Sequence, residues 1–324
     1  MMNHFADRLL HAIQKTRAPV CVGIDPVLDR IPDELLQEHG VHLDSTGQPL
    51  KGTSLDSVGK AFKVFGREVI HLIADLVPAC KLNIAFFEPY FDVGVRTYFE
   101  LIREARQAGL LVIGDIKRSD IDHSAAQYAL AHLGSSSTFF ADASSFAEPD
   151  AVTINAYLGS DGIAPFVDVA KKEGRGVFAL VQTSNRSAEQ LQGLKLSDGR
   201  RVVRALADYV NEWSSAAGMI GESGFSLLGA VVAPQDRPGT MELRKAMPAC
   251  IFLVPGFGFQ GRSAEDVAAC FRNDGTGAIV NASRSIIHAY RDSKYRDQYG
   301  NDWRRCIVAA CKDFADAFRF ISSR

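Results

Sequence analysis

The chain has 324 residues, of which 47% are apolar and 23% are charged, and its formal net charge at pH 7 is -2. This is the composition of an ordinary globular protein, with enough apolar residues for a sizeable core. The nearly balanced charge gives no reason to expect a nucleic-acid partner or an anionic membrane surface. Any bound anion must therefore be held by local charge.

Targeting and redox features of the sequence favour a cytoplasmic location. The N-terminus lacks the basic segment and apolar stretch of a secretory signal, and no run approaches the roughly eighteen apolar residues of a membrane span. The six cysteines are scattered without a C-x-x-C pair, so we expect buried free thiols in a reducing compartment. The eight histidines show no metal-ligand spacing, and we expect no metal site.

Eight short apolar runs recur along the chain and predict eight β-strands. Each run is almost continuously apolar rather than alternating, which is typical of parallel strands buried on both faces. The predicted strands are Val20–Ile24, Cys80–Ile84, Leu110–Ile113, Ala151–Ile154, Gly176–Val181, Leu227–Val232, Ile251–Val254 and Gly277–Val280.

The segments between these runs carry the periodicity of amphipathic helices. One apolar stripe includes Phe62 and Phe65, and another includes Tyr98 and Ile102. Eight strand–helix units in a chain of this length predict an α/β fold, a single (β/α)8 TIM barrel over residues 1–324. A doubly wound open sheet is the alternative, but no G-x-G-x-x-G pattern follows the first strand.

Two segments are additional to a minimal barrel. Residues 29–60, rich in Gly, Ser, Asp and His, form a long insertion after the first strand, and the sequence leaves open whether they are surface decoration. Residues 185–200 follow the fifth strand and are a candidate phosphate-gripping lid, with surface decoration again as the alternative. A final helix is predicted from Arg304 to Ile321.

Charged residues directly follow the third strand, in the sequence Asp115-Ile116-Lys117-Arg118-Ser119-Asp120. An aspartate and a lysine two residues apart project from the same face of an extended chain. A lone pair of this kind is usually a surface ion pair. Here, however, polar residues also follow other strands: Asp25, Lys81, Arg284 and Asn155, the last of which either orients the site or caps a helix. Because the carboxyl ends of barrel strands meet at one mouth, this coincidence predicts an active site there.

Further blocks of sequence flank this motif in a characteristic order. They are Phe5–Leu9, Cys21–Pro26, Lys81–Glu88, Asn155–Gly162, Val254–Gly261 and Asn281–Ile287. Taken in order, the blocks resemble the orotidine 5'-phosphate decarboxylase family, in its longer bacterial subfamily, over nearly the whole chain. The D-x-K-x-x-D motif alone is shared with related sugar-phosphate barrels, so the ordered blocks make the resemblance specific.

The resemblance implies a reaction and roles for the charged residues. The family removes the C6 carboxylate of orotidine 5'-phosphate to give UMP, the last step of de novo pyrimidine synthesis, without a metal or an organic cofactor. The resulting carbanion must be stabilised electrostatically and protonated. By resemblance Lys117 is the proton donor, and Asp115 and Asp120 hold it charged and oriented. Lys81 completes the array of charges, and Asp25 binds the ribose.

The resemblance also implies a homodimer with shared active sites. In the family, the aspartate that matches Asp120 enters the site of the partner subunit, together with the positions of Ile121 and Ser124. Ser124 stands where the family has threonine and keeps the hydroxyl, whereas Ser119 stands where glycine is common.

The remaining substrate contacts are expected at the ends of strands five, seven and eight. Ser184 matches the family serine that binds the amide edge of the pyrimidine. The glycine-rich stretch 256–261, with Gly258 and Gln260, offers backbone N–H groups, and Arg284 offers a bidentate guanidinium. Loops after the seventh and eighth strands are the usual phosphate cradle of such barrels.

Three alternatives stay open at the level of sequence. A sugar-phosphate barrel enzyme of the keto-gulonate-phosphate decarboxylase or hexulose-phosphate synthase type would use the same motif with Mg²⁺, but it needs an extra carboxylate ligand, for which Lys81 is the wrong residue. A Schiff-base lysine is disfavoured because Lys117, flanked by aspartates, should stay charged and be a poor nucleophile. A non-catalytic nucleotide-binding barrel is disfavoured by the intact Asp115, Lys117 and Asp120.

Overall fold

A computed structural model of the chain describes residues 4–135, 139–140, 145–256 and 264–319. Within them, eight parallel strands form a closed barrel in chain order, and β8 returns to pair with β1. The strands are β1 (Val20–Ile24), β2 (Ala79–Asn83), β3 (Leu111–Arg118), β4 (Ala151–Ile154), β5 (Gly176–Gln182), β6 (Leu228–Val232), β7 (Phe252–Val254) and β8 (Ala278–Ala282). The predicted (β/α)8 barrel is confirmed.

Helices surround the barrel, and the two predicted apolar stripes lie on α3 and α4. The helices are α1 (Phe5–Thr16), α2 (Asp33–Glu38), α3 (Leu55–Ile73), α4 (Phe91–Gln107), α5 (Asp122–Leu133), α6 (Ser160–Glu173), α7 (Val202–Ser214), α8 (Arg237–Ala246), α9 (Ala264–Ala268), α10 (Arg284–Ile287), α11 (Ser293–Tyr299) and α12 (Trp303–Arg319). Of the strands, β3 departs most from its prediction, because it continues past Ile113 through the charged motif to Arg118.

The N-terminal helix closes the amino end of the barrel. The ring of Phe5 on α1 packs edge-to-face on Phe178 of β5, with ring centroids 5.9 Å apart. Gly176, the first residue of β5, leaves space for this ring, since a Cβ there would lie 2.2 Å from Phe5 Cδ1. Leu9, one helical turn beyond Phe5, is also fully buried. These contacts seal the end of the barrel opposite the mouth.

The insertion after β1 packs against the C-terminal part of the chain. The indole N–H of Trp303, at the start of α12, donates to Glu34 Oε1 at 2.6 Å. Helix α3 begins at Leu55, with Ser54 accepting a hydrogen bond at its N-terminus. Residues 55–60 therefore form the first turns of a barrel helix, and the insertion proper ends before them.

Residues 185–200 form a compact extension of β5. The side chain of Gln192 reaches back to Thr183: its Nε2–H donates to Thr183 Oγ1 at 2.7 Å, and its Oε1 accepts the Thr183 N–H at 3.1 Å. Together with Tyr209 of α7, Leu191 and Gln192 of this extension border a cavity of about 520 Å³. The two hydrogen bonds anchor the middle of the segment to the strand end.

Two further expectations concern the chain as a whole. All six cysteines are buried, as the sequence predicted. In the part of the chain that the structure describes, no helix combines the length and the hydropathy needed to cross a membrane.

Replacing Leu9 by alanine should weaken the packing that seals the barrel. Leu9 is 0% exposed, and truncating a buried leucine typically costs about 2–5 kcal/mol of the free energy of unfolding. Urea-induced unfolding measures this change. The matched control is Leu50→Ala, because Leu50 is 49% exposed and its loss should cost less than about 0.5 kcal/mol. Equal effects in the two variants would contradict the role given to α1.

Candidate active site

Three neighbouring strands bring charged side chains to the carboxyl end of the barrel. The register pairs Gly23 of β1 with Lys81 of β2, and Asn83 of β2 with Asp115 of β3. Paired residues of parallel strands face the same side, and side chains alternate along each strand. Lys81 and Asp115 therefore project into the barrel, as does Asp25 just beyond β1.

Lys81 lies between two carboxylates. Its Nζ donates to Asp115 Oδ2 at 2.9 Å and lies 3.7 Å from Asp25 Oδ1. The ammonium of Lys117 donates to the other oxygen of Asp115, Oδ1, at 2.6 Å. The four side chains, which we call the charged array, thus alternate in sign in the order Asp25, Lys81, Asp115, Lys117.

The carboxylate of Asp115 is buried and ionised. Burial by itself would raise its pKa, but Lys81 and Lys117 together hold the pKa of this carboxyl well below its usual range. A third hydrogen bond comes from the hydroxyl of Thr153 on β4, which donates to Asp115 Oδ1 at 2.8 Å. Asp115 consequently carries its negative charge at neutral pH.

Lys81 is the buried cation of the array. Burial would lower the pKa of its ammonium, but the charges of Asp115 and Asp25 outweigh burial and raise that pKa above the usual range. The nearby thiol of Cys21 on β1 has its pKa raised to about 12, chiefly by burial. The thiol is therefore neutral at neutral pH, and the charges of the array are balanced among its lysines and aspartates.

The backbone at Lys117 is one that lysine seldom adopts. Its φ is +45°, in the left-handed region, which costs on the order of 1–3 kcal/mol for a residue with a side chain. Lys117 stands where the pairing of β3 with β4 becomes irregular, between Gly114 and Arg118. Its side chain is 46% exposed, so the ammonium extends from buried Asp115 towards the open mouth. Strain of this kind clusters at functional sites.

Asp120, Ile121 and Ser124 lie beyond the charged array. Asp120 Oδ1 accepts the backbone N–H of Ile121 at 2.8 Å. Ile121 is 43% exposed, and Ser124 is exposed in the first turn of α5. Among the ion pairs of the described residues, none joins Asp120 to Lys117. Within a single chain, these three side chains are not brought into the array.

The residues predicted to contact the pyrimidine and the phosphate lie on other strand ends. Ser184 is half-buried two residues after the end of β5, and Arg284 is exposed two residues after the end of β8. Two strands, β6 and β7, separate them around the barrel. Gly256 follows β7 with a φ of +79°, a backbone conformation that favours glycine. The predicted Gly258 and Gln260 lie outside the described residues.

The structure shows one of the two predicted roles of Asn155 and adds Thr153, a residue that the sequence analysis does not name. Asn155 accepts the backbone N–H of Tyr157 at 3.0 Å, so of its two predicted roles the structure shows the cap, here of a short 3-10 helix. Sequence reasoning missed Thr153, which contacts Asp115. Its one signal was a hydroxyl side chain inside the otherwise apolar strand Ala151–Ile154.

The array offers little to a metal ion. Over the described ranges, no group of three or more His, Cys, Asp and Glu side chains is arranged to hold one. The Lys81 ammonium occupies the space between Asp25 and Asp115, where a carboxylate-bound cation would otherwise sit. A magnesium-dependent relative would need a further carboxylate in the place of this lysine.

A separate cavity of about 710 Å³ lies at the amino ends of β7 and β8, away from the array. Its most buried cation is Arg244, whose guanidinium lies 3.8 Å from the ring centroid of Phe252. Arg244 donates to the carbonyl oxygens of Gly277 at 3.0 Å and Cys250 at 2.8 Å. These contacts satisfy backbone groups at the barrel floor, which is a structural role.

Replacing Asp115 by asparagine should destabilise the fold in a pH-dependent way. The change leaves the buried Lys81 ammonium without its nearest carboxylate, and breaking a buried ion pair costs about 3–5 kcal/mol at neutral pH. Because the pKa of Asp115 is lower in the folded than in the unfolded chain, its contribution is complete above the unfolded pKa and is lost as the pH falls below it. The difference in free energy of unfolding from wild type should therefore shrink below pH 3.8.

Unfolding curves recorded between about pH 2.5 and 7 test this dependence. The control is Asp316→Asn, which removes an exposed pair with Arg319 and should cost less than about 1 kcal/mol at any of these pH values. A difference for Asp115→Asn that grows as the pH falls would contradict the ionised, lysine-paired state of this carboxyl.

Comparison with known sequences identifies the protein family that this chain resembles. The model of the Orotidine 5'-phosphate decarboxylase / HUMPS family matches residues 20–296. A relative from Rhodopirellula baltica, named orotidine 5'-phosphate decarboxylase, is 40% identical over 312 residues, which span 95% of this chain and 97% of the relative. A relative of the same name from Caldicellulosiruptor saccharolyticus is 33% identical over 91% of this chain and 93% of its own.

Solved structures agree with the sequence matches. A Streptomyces avermitilis protein, assigned provisionally as an orotidine 5'-phosphate decarboxylase, has a TM-score of 0.74 and 28% identity, covering 99% of this chain and 97% of that one. The OMP decarboxylase of Leishmania donovani shares the fold over 99% of each chain, with a TM-score of 0.69 and 24% identity. Because the family model and the similar relatives extend over nearly all of the barrel, this chain belongs to the orotidine 5'-phosphate decarboxylase / HUMPS family.

Proposed function

We propose that this chain is a cytoplasmic enzyme that decarboxylates orotidine 5'-phosphate to UMP without a metal ion or an organic cofactor. The observation that carries the proposal is the charged array, in which Asp115 holds Lys81 at 2.9 Å on one oxygen and Lys117 at 2.6 Å on the other. The relatives that share most of this chain bear the name of this activity. Buried cysteine thiols suit a reducing compartment such as the cytoplasm.

The reaction requires a cation beside one carbon atom. When the C6 carboxylate leaves as CO2, the electron pair of the broken bond stays on C6, and no adjacent carbonyl delocalises it. A pre-placed ammonium opposes this charge, and in a site of low dielectric the attraction is stronger than in water. We assign this role to Lys117, whose Nζ then transfers a proton to C6 and completes UMP.

Asp115 and Lys81 would keep Lys117 charged and directed at C6. The lowered pKa of Asp115 keeps it anionic at neutral pH, so it can anchor the Lys117 ammonium before proton transfer and accept a hydrogen bond from the neutral amine afterwards. Asp115 would also face the carboxylate of the substrate, and the repulsion between the two would end when CO2 leaves. Lys81, with its pKa raised, would balance the two aspartates.

The rest of the nucleotide would be held by neighbouring strand ends. Asp25 Oδ1 is buried and accepts no hydrogen bond from the described residues, so a ribose hydroxyl would supply its missing donor. Ser184 would bind the amide edge of the pyrimidine. Arg284, with Gly258 and Gln260, would bind the phosphate through charge-assisted hydrogen bonds of about 1.5–3 kcal/mol each.

Residues 185–200 would act as a lid over the bound nucleotide. Lys117 is 46% exposed, and expelling water from its surroundings would strengthen its attraction to the C6 anion. The segment begins next to Ser184 and is anchored at its middle by Gln192. Binding energy from the remote phosphate could then be used to close it, which is a common use of non-reacting substrate groups.

The enzyme would act as a homodimer with shared active sites. Asp120, Ile121 and Ser124 would complete the site of the partner subunit, which accords with the exposure of Ile121 and Ser124 and with the lack of an ion pair between Asp120 and Lys117 among the described residues. Tyr128 on α5 is 37% exposed, and together with Ile121, two helical turns earlier, it adds apolar surface next to these residues. Exposed apolar side chains grouped in this way are typical of an interface.

Replacing Lys117 by alanine should abolish decarboxylation while UMP still binds. The variant loses both the cation and the general acid, and general acid catalysis alone typically contributes about 10²–10⁴-fold, so kcat/KM should fall by at least ~10³-fold. The assay follows the loss of orotidine 5'-phosphate absorbance in buffer that contains EDTA and no added metal. Calorimetric titration measures UMP binding, which should persist because the ribose and phosphate contacts are unchanged.

The control for this experiment is Lys294→Ala. Lys294 is 63% exposed and pairs with Asp313 on the surface, so its loss should leave turnover at the wild-type rate. Normal turnover in Lys117→Ala would refute the assignment of the proton donor. Wild-type activity that appears only with added Mg²⁺ would favour the metal-dependent alternative instead.

Mixing two inactive variants should restore activity if the sites are shared. In a heterodimer of a Lys117→Ala chain and an Asp120→Ala chain, one of the two sites combines an intact Lys117 with an intact Asp120 from the partner. We expect heterodimers purified through two different affinity tags to show about half of the wild-type rate, and each variant alone to be inactive. Verified heterodimers without activity would exclude the cross-subunit placement of Asp120.

A further inference from the structure

We infer that Thr153 is a positioning residue for the proposed reaction, one that holds the backbone of Lys117 and the carboxylate of Asp115 in register. The inference rests on the proposed function, since it concerns how the assigned proton donor is aimed. Thr153 lies on β4, one strand away from the motif, and its side chain is 1% exposed.

The Thr153 hydroxyl makes two hydrogen bonds to the motif. It donates to Asp115 Oδ1 at 2.8 Å and accepts the backbone N–H of Lys117 at 3.1 Å. The Lys117 ammonium donates to the same Asp115 oxygen at 2.6 Å. The contacts therefore form a closed ring in which both ends of Lys117, its amide and its ammonium, are tied to one carboxylate oxygen.

An irregularity in the β3–β4 pairing explains why the Lys117 amide needs a side-chain partner. Gly114 pairs with Val152, and the next pair is Arg118 with Ile154. Between these pairs β3 therefore has three residues, whereas β4 has only Thr153. The extra residues of such a bulge leave the regular ladder, and the Thr153 hydroxyl takes up the amide of Lys117.

The same ring stabilises the strained backbone of Lys117. A φ of +45° at a lysine persists only where the surroundings fix it. Valine in place of Thr153 would keep the shape of the side chain but offer neither donor nor acceptor. The Lys117 amide would then lose its hydrogen-bond partner, and Asp115 would lose one of its three donors. The position of the Lys117 ammonium would therefore be held less firmly.

The single hydroxyl proton of Thr153 is already donated to Asp115, which leaves none for a substrate. Its loss should therefore reduce the rate of the chemical step more than the affinity for nucleotide. A displacement of about 1 Å at a reacting group can cost ~10²-fold in rate. We expect Thr153→Val to lower kcat by roughly 10–100-fold and to change KM and the UMP dissociation constant by less than about 3-fold.

The test compares three variants with the wild-type enzyme. Thr153→Ser keeps the hydroxyl and should retain kcat within about 3-fold of wild type, whereas Thr153→Val should not. The matched control is Thr240→Val, because Thr240 is also 1% exposed and its hydroxyl donates to Asp236 O at 2.7 Å on α8, which follows β6 and not a strand of the array. Thermal midpoints and UMP binding establish that each variant is folded.

A second measurement isolates the proton-transfer step. In D₂O, the neutral amine form of Lys117, which is the form left after proton transfer, can remove the C6 proton of bound UMP; the ammonium then exchanges with solvent and returns a deuteron to C6. NMR follows this exchange without any carboxylate in the reaction. A positioning role predicts that Thr153→Val slows this exchange by a factor similar to its loss of kcat, and that Thr153→Ser does not. If Thr153→Val fails to fold, Thr153→Ala removes the same hydroxyl in a smaller side chain and is held to the same expectation.

The outcomes separate this inference from the proposed function. Wild-type enzyme that is inactive on orotidine 5'-phosphate would overturn the proposed function itself. An active wild type together with a Thr153→Val enzyme of unchanged kcat and unchanged exchange would overturn the role of Thr153 alone. Equal losses in the serine and valine variants would also overturn it, because the hydroxyl would then not be the group that matters.

Discussion

The interaction on which the site depends is the pairing of one buried carboxylate with two ammonium groups. Asp115 receives Lys81 on one oxygen and Lys117 on the other, at 2.9 and 2.6 Å. Two cations brought this close without an intervening anion would repel each other, and burying Lys81 alone would favour its neutral form. With Asp115 between them, each ammonium donates to a carboxylate oxygen. An ammonium can then be held ready at the mouth of the barrel.

The two ends of the barrel differ in their contacts: the amino end is closely packed, and the carboxyl end holds the charged array. At the amino end, Phe5 packs on Phe178, and Arg244 satisfies carbonyl groups of the floor. At the carboxyl end, charge and strain accumulate, as in the left-handed backbone of Lys117. The packed end stabilises the scaffold, and the strained residue is held by hydrogen bonds from a neighbouring strand. Thr153 provides such a hydrogen bond. Inspection of the motif Asp115–Asp120 alone does not identify this residue.

Much of the fold could be read from the sequence because its signals are local. Parallel strands buried on both faces require near-continuous apolar runs, and all eight such runs are strands of the barrel. The sequence predicts too early an end for β3 because its last residues are charged, whereas in the structure Asp115 pairs with Asn83 of β2 and Arg118 pairs with Ile154 of β4. The sequence does not show where α3 begins, because the residues of its first turn resemble those of the polar insertion before it.

The sequence by itself determined the barrel, the motif Asp115-x-Lys117 and the position of the polar residues at strand ends, since each of these depends on residue type and spacing along the chain. Only the tertiary structure decided that Lys81 stands between two carboxylates and that Thr153 completes the ring around Lys117. These contacts join residues that are far apart in the chain. They depend on the register between strands and on a bulge. Both are set by the pairing of strands in the folded chain and not by the local sequence.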